Sequence, residues 1–169
     1  MSLLLLRQGL SVVLVLLGAW GYSPVTRSQT PEPAGRVTDQ AAVLSAKDNQ
    51  HLSQMLAGYE RETTHQLAVL TVSSLSGESI EAFSLRVAKS WALGRKGVDN
   101  GILIVLAPTE RKVRIELGRG FERYISNSRA EEIVGSQMLP AFRHQEYSKG
   151  LQRGIQQLMT EGRALVAPK

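Results

Sequence analysis

The sequence contains no cysteine, which excludes several kinds of protein chemistry. Disulfides, cysteine-ligated zinc, thiol nucleophiles and lipid attachment at a cysteine are all ruled out. Any metal site must therefore use oxygen ligands or histidine. The chain has three histidines, His51, His65 and His144, and none has a second histidine at a metal-ligand spacing. Each is expected to lie at the surface or to cap a local turn.

The chain is also poor in aromatic residues and in concentrated charge. Aromatic residues make up 5% of the sequence, and 20 basic against 15 acidic residues give a formal net charge of +5. The basic residues are spread along the chain rather than gathered in one stripe. Because nucleic-acid binding requires a dense basic face, no nucleic-acid partner is predicted.

Several signatures of catalysis and nucleotide binding are missing as well. The sequence has no G-x-S-x-G nucleophile motif and no P-loop. Gly118-x-Gly120 lacks the third glycine of a dinucleotide-binding loop, so a tight turn explains it better. No catalytic residue can be named from motifs.

Residues 1–24 are predicted to be a secretory signal. Arg7 is followed by an apolar core that is shorter than the about 20 residues needed to cross a bilayer, and by small residues such as Ala19. An uncleaved amino-terminal anchor is the alternative. Both place the rest of the chain outside the cytoplasm, in the periplasm or at the outer face if the organism is a bacterium. Membrane contact is expected only through this segment, when it is uncleaved.

A proline-rich linker is predicted at residues 25–34, where no apolar period is present. Helical and strand patterns alternate after it. Apolar residues at helical spacing mark 45–59, 80–91, 128–139 and 147–158, and short apolar or alternating runs mark strands at 66–72, 101–107 and 112–117. This order predicts a three-layer α/β/α domain with a small mixed sheet over residues 35–162, followed by a tail at 163–169.

Local signals predict where two of the helices begin. Ser45 with Asp48, and Ser128 with Glu131, have the spacing of a capping box. Pro140 predicts that the helix begun at Ser128 ends or bends there.

Polar, glycine-rich loops flank two predicted strands in the stretch Trp91–Glu122. Asp99 and Asn100 directly precede the strand at 101–107, and Glu122 follows the two glycines after the strand at 112–117. Calcium and magnesium prefer carboxylate and amide oxygens carried on loops. These three residues are therefore candidate ligands of a weak divalent-cation site. Asp99 and Asn100 equally suit a turn that only shapes the loop.

Basic residues in the same stretch suggest a second kind of ligand. Arg95 and Arg119 lie in the loops and are candidates for binding phosphate, for which guanidinium groups are well suited. Solvated arginines at loop tips are the alternative. Glu116, on the polar face of its strand, is expected to pair with Arg114 or Lys112.

The ordered set of motifs resembles the TPM domain of bacterial envelope proteins and plant thylakoid-lumen proteins. The resemblance covers residues 35–161 and implies the same α/β fold. It matches Asp39, in a segment with no predicted element, to a recurring acidic position and so adds a fourth candidate ligand. Asn127 departs from the acidic residue common there, which lowers the expected cation affinity. The matching motifs are Gly35-Arg36-Val37 with Asp39, Trp91-Ala92-Leu93-Gly94, Arg95-Lys96-Gly97, Asp99-Asn100-Gly101, Val113-Arg114-Ile115-Glu116, and Gly118-x-Gly120 with Glu122.

The resemblance implies two possible functions, because the TPM domain is associated with phosphatase activity and with maintenance or assembly of membrane protein complexes. The first hypothesis is a non-catalytic extracytoplasmic module that binds an envelope or membrane protein, with a weak calcium or magnesium site at the strand-end loops. The alternative is a low-specificity metal-assisted phosphatase. There, Asp99, Asn100 and Glu122 would hold the ion, and Arg95 or Arg119 would orient phosphate. The first is favoured because no nucleophile or general base can be named.

Overall fold

The computed structural model describes residues 30–122 and 125–164, with a four-stranded sheet at its centre. The first three strands are parallel, and the fourth runs antiparallel to the third. The predicted mixed sheet with one antiparallel pair is thus confirmed, whereas β1 lies in a segment where no element was predicted. In spatial order the strands are β1 (Val37–Asp39), β2 (Gln66–Thr71), β3 (Gly101–Ala107) and β4 (Lys112–Leu117).

Helices cover both faces of the sheet, which confirms the three-layer α/β/α architecture. One face packs against α2 (Ile80–Ser90). The other face packs against α1 (Ala46–Thr63) and the helices that follow β4. These are α3 (Arg119–Glu122), α4 (Asn127–Ile133), a π-helical segment (Val134–Met138), α5 (Leu139–Phe142) and α6 (Tyr147–Ala164).

The continuous apolar run of β3 follows from its position between the two helical layers. Every residue of this strand is buried. Ile102 and Ile104 belong to the core beneath α1 and α6, whereas Leu103 and Val105 belong to the core beneath α2. A strand buried on both faces does not alternate between apolar and polar residues.

The capping prediction is confirmed for one helix and wrong for another. Ser45 is the N-cap of α1, and its hydroxyl accepts a 3.1 Å hydrogen bond from the Asp48 N–H. Ser126, not Ser128, caps α4 by accepting from the Arg129 N–H at 3.1 Å. Ile125 is buried just before that cap, and this anchoring sets the helix start two residues earlier than predicted.

The helical region around Pro140 is irregular, as the proline predicted. Pro140 lies in α5, directly after the π-helical segment Val134–Met138. Proline has no N–H to donate to the carbonyl of Ser136, so regular α-helical hydrogen bonding cannot continue through this point. The wider π-helical turn therefore coincides with the predicted bend.

The predicted signal or anchor at residues 1–24 lies outside the described residues, as do residues 25–29 of the predicted linker. The last part of the linker contacts α2: the Trp91 Nε1–H donates to the Pro31 carbonyl at 2.6 Å, and Arg86 donates to the Thr30 hydroxyl at 2.7 Å. Within residues 30–122 and 125–164, no helix has the length and apolar character required to span a membrane.

Candidate functional site

The two glycine-rich loops, residues 93–101 and 118–122, meet at the start of β3. Together they are termed the loop cluster. The Gly118 N–H donates to the Gly101 carbonyl at 2.8 Å, and the Gly120 N–H donates to the Asp99 carbonyl at 3.0 Å. A β-carbon at Gly118 would lie 2.2 Å from the Asp99 oxygen, and one at Gly120 would lie 2.1 Å from the Val98 oxygen. Both glycines therefore serve the close approach of two backbones.

Asn100 fixes this cluster from within, so its role is structural. It is buried, with 3% of its surface exposed. Its side-chain oxygen accepts from the Arg95 N–H at 2.8 Å, and its side-chain nitrogen donates to the Thr64 carbonyl at 2.8 Å. Both ends of the amide are thus used to hold neighbouring backbone. The turn-shaping alternative describes Asn100 better than the cation-ligand hypothesis does.

Asp39 lies at the opposite edge of the sheet from the loop cluster. It is paired with Thr71 at the end of β2, whereas Gly101 pairs with Gln66 at the beginning of that strand. The length of β3, about 20 Å at 3.3 Å per residue, separates the two edges. The four predicted metal ligands, Asp39, Asp99, Asn100 and Glu122, therefore do not form one site.

The carboxylate of Asp39 is fully engaged at that edge. It accepts hydrogen bonds from the Val43 N–H at 3.2 Å, from the Leu44 N–H at 2.9 Å and from the Thr71 hydroxyl. These bonds join the end of β1 to the turn that leads into α1. The acidic position matched by the resemblance is thus used here to shape a turn.

The remaining predicted residues lie together on the surface of the loop cluster. Asp99, Glu122, Arg95 and Arg119 are all exposed, and none of their side chains makes an ion pair or hydrogen bond with another described residue. Asp99 has a left-handed backbone, with a φ angle of 53°. Among the described residues, no group of three or more acidic residues or histidines is placed to hold a metal. The protein ligands available to a cation at the loop cluster are therefore the carboxylates of Asp99 and Glu122 and backbone oxygens.

Glu116 is bound within the domain, as expected. Its carboxylate accepts from Arg114 at 2.9 Å and from the Ser84 hydroxyl at 3.0 Å. The ion pair lies within β4, and the hydrogen bond from Ser84 connects that strand to α2.

Two features of the loop cluster were missed in the sequence. Val98 projects from it with 47% of its surface exposed, which is unusual for a large apolar side chain in this domain. His65 lies behind the cluster, where its ring contacts Phe121 edge-on at a centroid distance of 4.5 Å. Its Nδ1 lies 2.9 Å from the Tyr59 hydroxyl. The expectation of a surface or capping histidine is thus wrong for His65, because side chains of α1 and α3 pack against its ring.

Burial changes the titration of this Tyr59–His65 pair. Burial lowers the pKa of His65 from its ordinary value of 6.5 and raises the pKa of Tyr59 to about 12. Both residues are therefore held in their neutral forms at neutral pH.

The domain is expected to lose stability as the pH falls below about 6.5. As the pH falls, His65 becomes protonated at a higher pH in the unfolded chain than in the folded one, because its pKa is lower in the folded state. The free energy of unfolding therefore decreases with falling pH. Carboxylates, with ordinary pKa values of 3.8 and 4.5, add little between pH 7.5 and 5.5. Urea titrations at these two pH values measure the effect.

His65→Gln should flatten this pH dependence, since glutamine keeps a neutral hydrogen-bonding group near Tyr59. His51→Gln is the matched control, because His51 is exposed on α1. Equal pH dependence in wild type and His65→Gln would mean that another group is responsible.

Comparison with known proteins agrees with this description. The model of the TPM domain family matches residues 37–161. The chain is 31% identical to the N-terminal domain of a P. gingivalis protein, with a TM-score of 0.69 over 74% of this chain and 80% of that one. No curated protein sequence matches it.

Two further solved structures share the fold at lower identity. The N-terminal domain of a Corynebacterium glutamicum protein is 16% identical, with a TM-score of 0.61 over 80% of this chain and 85% of that one. A protein of the psychrophilic bacterium Bizionia argentinensis is 17% identical, with a TM-score of 0.61 over 70% of this chain and 80% of that one. The family match spans most of the chain and lies on the sheet, helices and loop cluster described above, so the chain belongs to the TPM domain family.

Proposed function

We propose that this TPM domain is a non-catalytic binding module that presents its loop cluster to a protein partner outside the cytoplasm. The observation that carries the proposal is Val98, an exposed apolar side chain on a loop whose backbone is fixed by neighbouring backbone. Exposed charged residues surround it in the loops: Arg95, Lys96, Asp99, Arg119 and Glu122. The extracytoplasmic location is supported by the apolar residues 1–20.

An apolar centre within a charged rim is the usual composition of a protein interface. A few central residues supply most of the affinity in such interfaces, and rim charges mainly influence specificity and association rate. Because the two loops already hydrogen-bond to each other, little conformational entropy is lost when they bind. The loop cluster is thus well suited to recognition.

The chemistry of the same surface favours binding over catalysis. Residues 93–101 and 118–122 include no serine, cysteine or histidine. The nearest described histidine, His65, is held by Tyr59 and Phe121. A hydroxyl or thiol nucleophile activated by an adjacent histidine is therefore not available in the loop cluster.

Replacing Val98 with aspartate should weaken partner binding by about tenfold or more, because a charge would be buried at the centre of the interface. Cross-linking in envelope extracts of the native host, followed by quantification of the cross-linked partner, measures the loss. Leu85→Asp is the matched control, since Leu85 is 43% exposed on α2, away from the loop cluster. If both variants retain or lose the partner equally, binding does not use the loop cluster.

A weak calcium or magnesium site is part of the proposal, with Asp99 and Glu122 as its side-chain ligands. With a dissociation constant on the order of 0.1 to 1 mM, 1 mM ion would stabilise the domain by about 0.4 to 1.4 kcal/mol. That corresponds to a rise in melting temperature of about 1–6 °C. Thermal denaturation with and without the ion measures it.

Asp99→Ala should abolish the ion-dependent rise, whereas Asp39→Asn should leave it unchanged because Asp39 lies at the other edge of the sheet. A rise that survives in Asp99→Ala would place the ion elsewhere. No rise in the wild type would remove the cation site from the proposal and leave the binding surface around Val98.

Metal-assisted phosphatase activity is the rival function, and the same Asp99→Ala variant tests it. Arg95 and Arg119 are exposed in the loop cluster beside Asp99 and Glu122, so an ion and a phosphate group would both be accessible there. We expect negligible hydrolysis of a chromogenic phosphomonoester in the presence of magnesium or calcium. Robust turnover that Asp99→Ala eliminates at unchanged melting temperature would replace the binding module with a phosphatase.

A further inference from the structure

A concave site lies at the edge of the sheet opposite the loop cluster. It is a cavity of about 400 Å³ between the β3–β4 turn and the chain that joins α5 to α6. This volume falls in the range of pockets that hold small organic ligands, about 300–1,000 Å³. The cavity is lined by Leu106, Pro108, Arg111, Lys112, Val113, Leu139, Phe142, Arg143, Gln145 and Tyr147.

The charged residues that line this cavity are all basic. Arg111, Lys112 and Arg143 contribute three positive charges, and no acidic residue lines the cavity. None of the three side chains makes an ion pair or a hydrogen bond with another described residue. In contrast, Arg36, Arg86, Arg114, Arg129, Lys149 and Arg163 all pair with carboxylates elsewhere in the domain.

Nearby acidic residues offset only part of this charge. Glu110 lies in the same turn and attracts Lys112, while its carboxylate also accepts hydrogen bonds from the Leu75 N–H at 2.8 Å and the Ser74 hydroxyl at 2.9 Å. Glu146 is paired with Lys149 at 2.8 Å. The lining of the cavity therefore keeps a net positive charge, since one nearby carboxylate faces three basic side chains.

Part of the cavity wall is apolar. Phe142 and Tyr147 stand together on one side, with ring centroids 5.6 Å apart and planes tilted by 47°. Val113 and Leu139 are partly buried and complete the apolar surface, with Leu106 buried beneath them. A bare inorganic anion would leave these walls uncovered, whereas a neutral apolar molecule would leave the cations without a partner.

We propose that this cavity binds a small organic anion, with its carboxylate or phosphate group against Arg111, Lys112 and Arg143 and an aromatic or aliphatic body against Phe142 and Tyr147. Guanidinium groups bind carboxylate and phosphate alike through paired N–H donors. Aromatic walls favour a flat or extended apolar body. This site is separate from the loop cluster and does not depend on the function proposed for it.

Calorimetric titration with 2-naphthoate and 2-naphthyl phosphate tests the proposal, with 2-naphthalenemethanol as the uncharged control and inorganic phosphate as the control without an apolar body. At least one naphthyl anion should bind about tenfold or more tightly than either control, since charge-assisted hydrogen bonds and apolar burial act together only in that compound. Tighter binding of the carboxylate or of the phosphate identifies the anionic group. Equal affinity for the alcohol and the anions would overturn the proposal.

The double variant Lys112→Gln/Arg143→Gln should weaken binding of the preferred anion by about tenfold or more. Both side chains are exposed at the cavity rim, so the melting temperature should stay close to that of the wild type. Arg61→Gln, which removes an exposed positive charge from α1, should bind like the wild type. Unchanged affinity in the double variant, or an equal loss in Arg61→Gln, would show that the cavity is not the binding site.

Amide chemical shifts locate the bound probe independently of affinity. Saturating naphthyl anion should perturb Val113, Phe142 and Tyr147 and leave Asp99 and Gly120 in the loop cluster unchanged. Perturbation of the loop cluster alone would contradict the cavity as the site.

Discussion

Gly120→Ala is expected to destabilise the domain by roughly 2–4 kcal/mol, a large effect for one added methyl group. The new β-carbon would lie 2.1 Å from the Val98 carbonyl oxygen, which is backbone and cannot rotate away. Relief would require the two loops to separate, and that would break the 3.0 Å hydrogen bond from Gly120 to Asp99. Equilibrium unfolding in urea measures the loss.

Gly58→Ala provides the opposite result from the same chemical change. Gly58 lies in α1, and the nearest atom to its β-carbon would be the Arg61 guanidinium, at 3.8 Å. Alanine there should stabilise the domain by about 0.5–1 kcal/mol, because glycine is the poorer helix former. If Gly120→Ala unfolds at the wild-type urea concentration, the loops are not held together as described.

Asp39→Ala should cost roughly 2–4 kcal/mol of stability, because its carboxylate satisfies two backbone N–H groups and a hydroxyl at once. The loss detaches the β1 end from the turn before α1. Asp39→Asn should cost less, since its remaining carbonyl oxygen can still accept one of these bonds. Urea unfolding of both variants measures which of them loses more stability.

Glu122→Ala should have the opposite effects to Asp39→Ala on stability and on the response to the cation. Glu122 is exposed, and its side chain makes no hydrogen bond to another described residue, so the change should stay within about 0.5 kcal/mol. It should nevertheless reduce the calcium- or magnesium-dependent rise in melting temperature, which Asp39→Ala should retain. A large loss of stability in Glu122→Ala with little loss in Asp39→Ala would reverse the roles assigned to these two carboxylates.

The architecture was predictable because its signals are local and strong. The uniformly apolar run at 101–107 and the helical spacing at 45–59 and 80–91 reflect burial between layers, which composition records directly. β1 was missed because it has only three residues, Val37–Asp39, and a strand that short has no measurable period. Its place in the sheet depends on pairing with β2, far away in sequence.

The candidate site was predicted only in part, since the same residue types serve two purposes. Asp and Asn are the residues that shape turns and also the residues that bind hard cations. Sequence alone does not distinguish Asn100, which holds backbone inside the loop cluster, from Asp99, which is exposed on it. The separation of Asp39 from Asp99 follows from parallel strand register, a property of the whole sheet.

The reason for the glycines at positions 118 and 120 was also not predictable from the sequence. Gly118 and Gly120 were predicted to form a tight turn, yet neither has a positive φ angle. They are required because Asp99 and Val98 approach from another loop, about twenty residues earlier in the chain. The sequence around the turn does not show that a second loop packs against it.

Helices α1 and α6 share one hydrophobic core although they lie far apart in the sequence. This separation affects when the core can form during folding. Leu151, Ile155 and Leu158 pack into the core that also contains Leu52 and Leu56. That face of the sheet is therefore fully covered only once α6 has been synthesised and has packed. Contacts between segments that are distant in sequence slow folding, because closing the long loop between them costs entropy. If residues 1–24 direct export, the core beneath α1 can therefore be completed only after α6 has crossed the membrane.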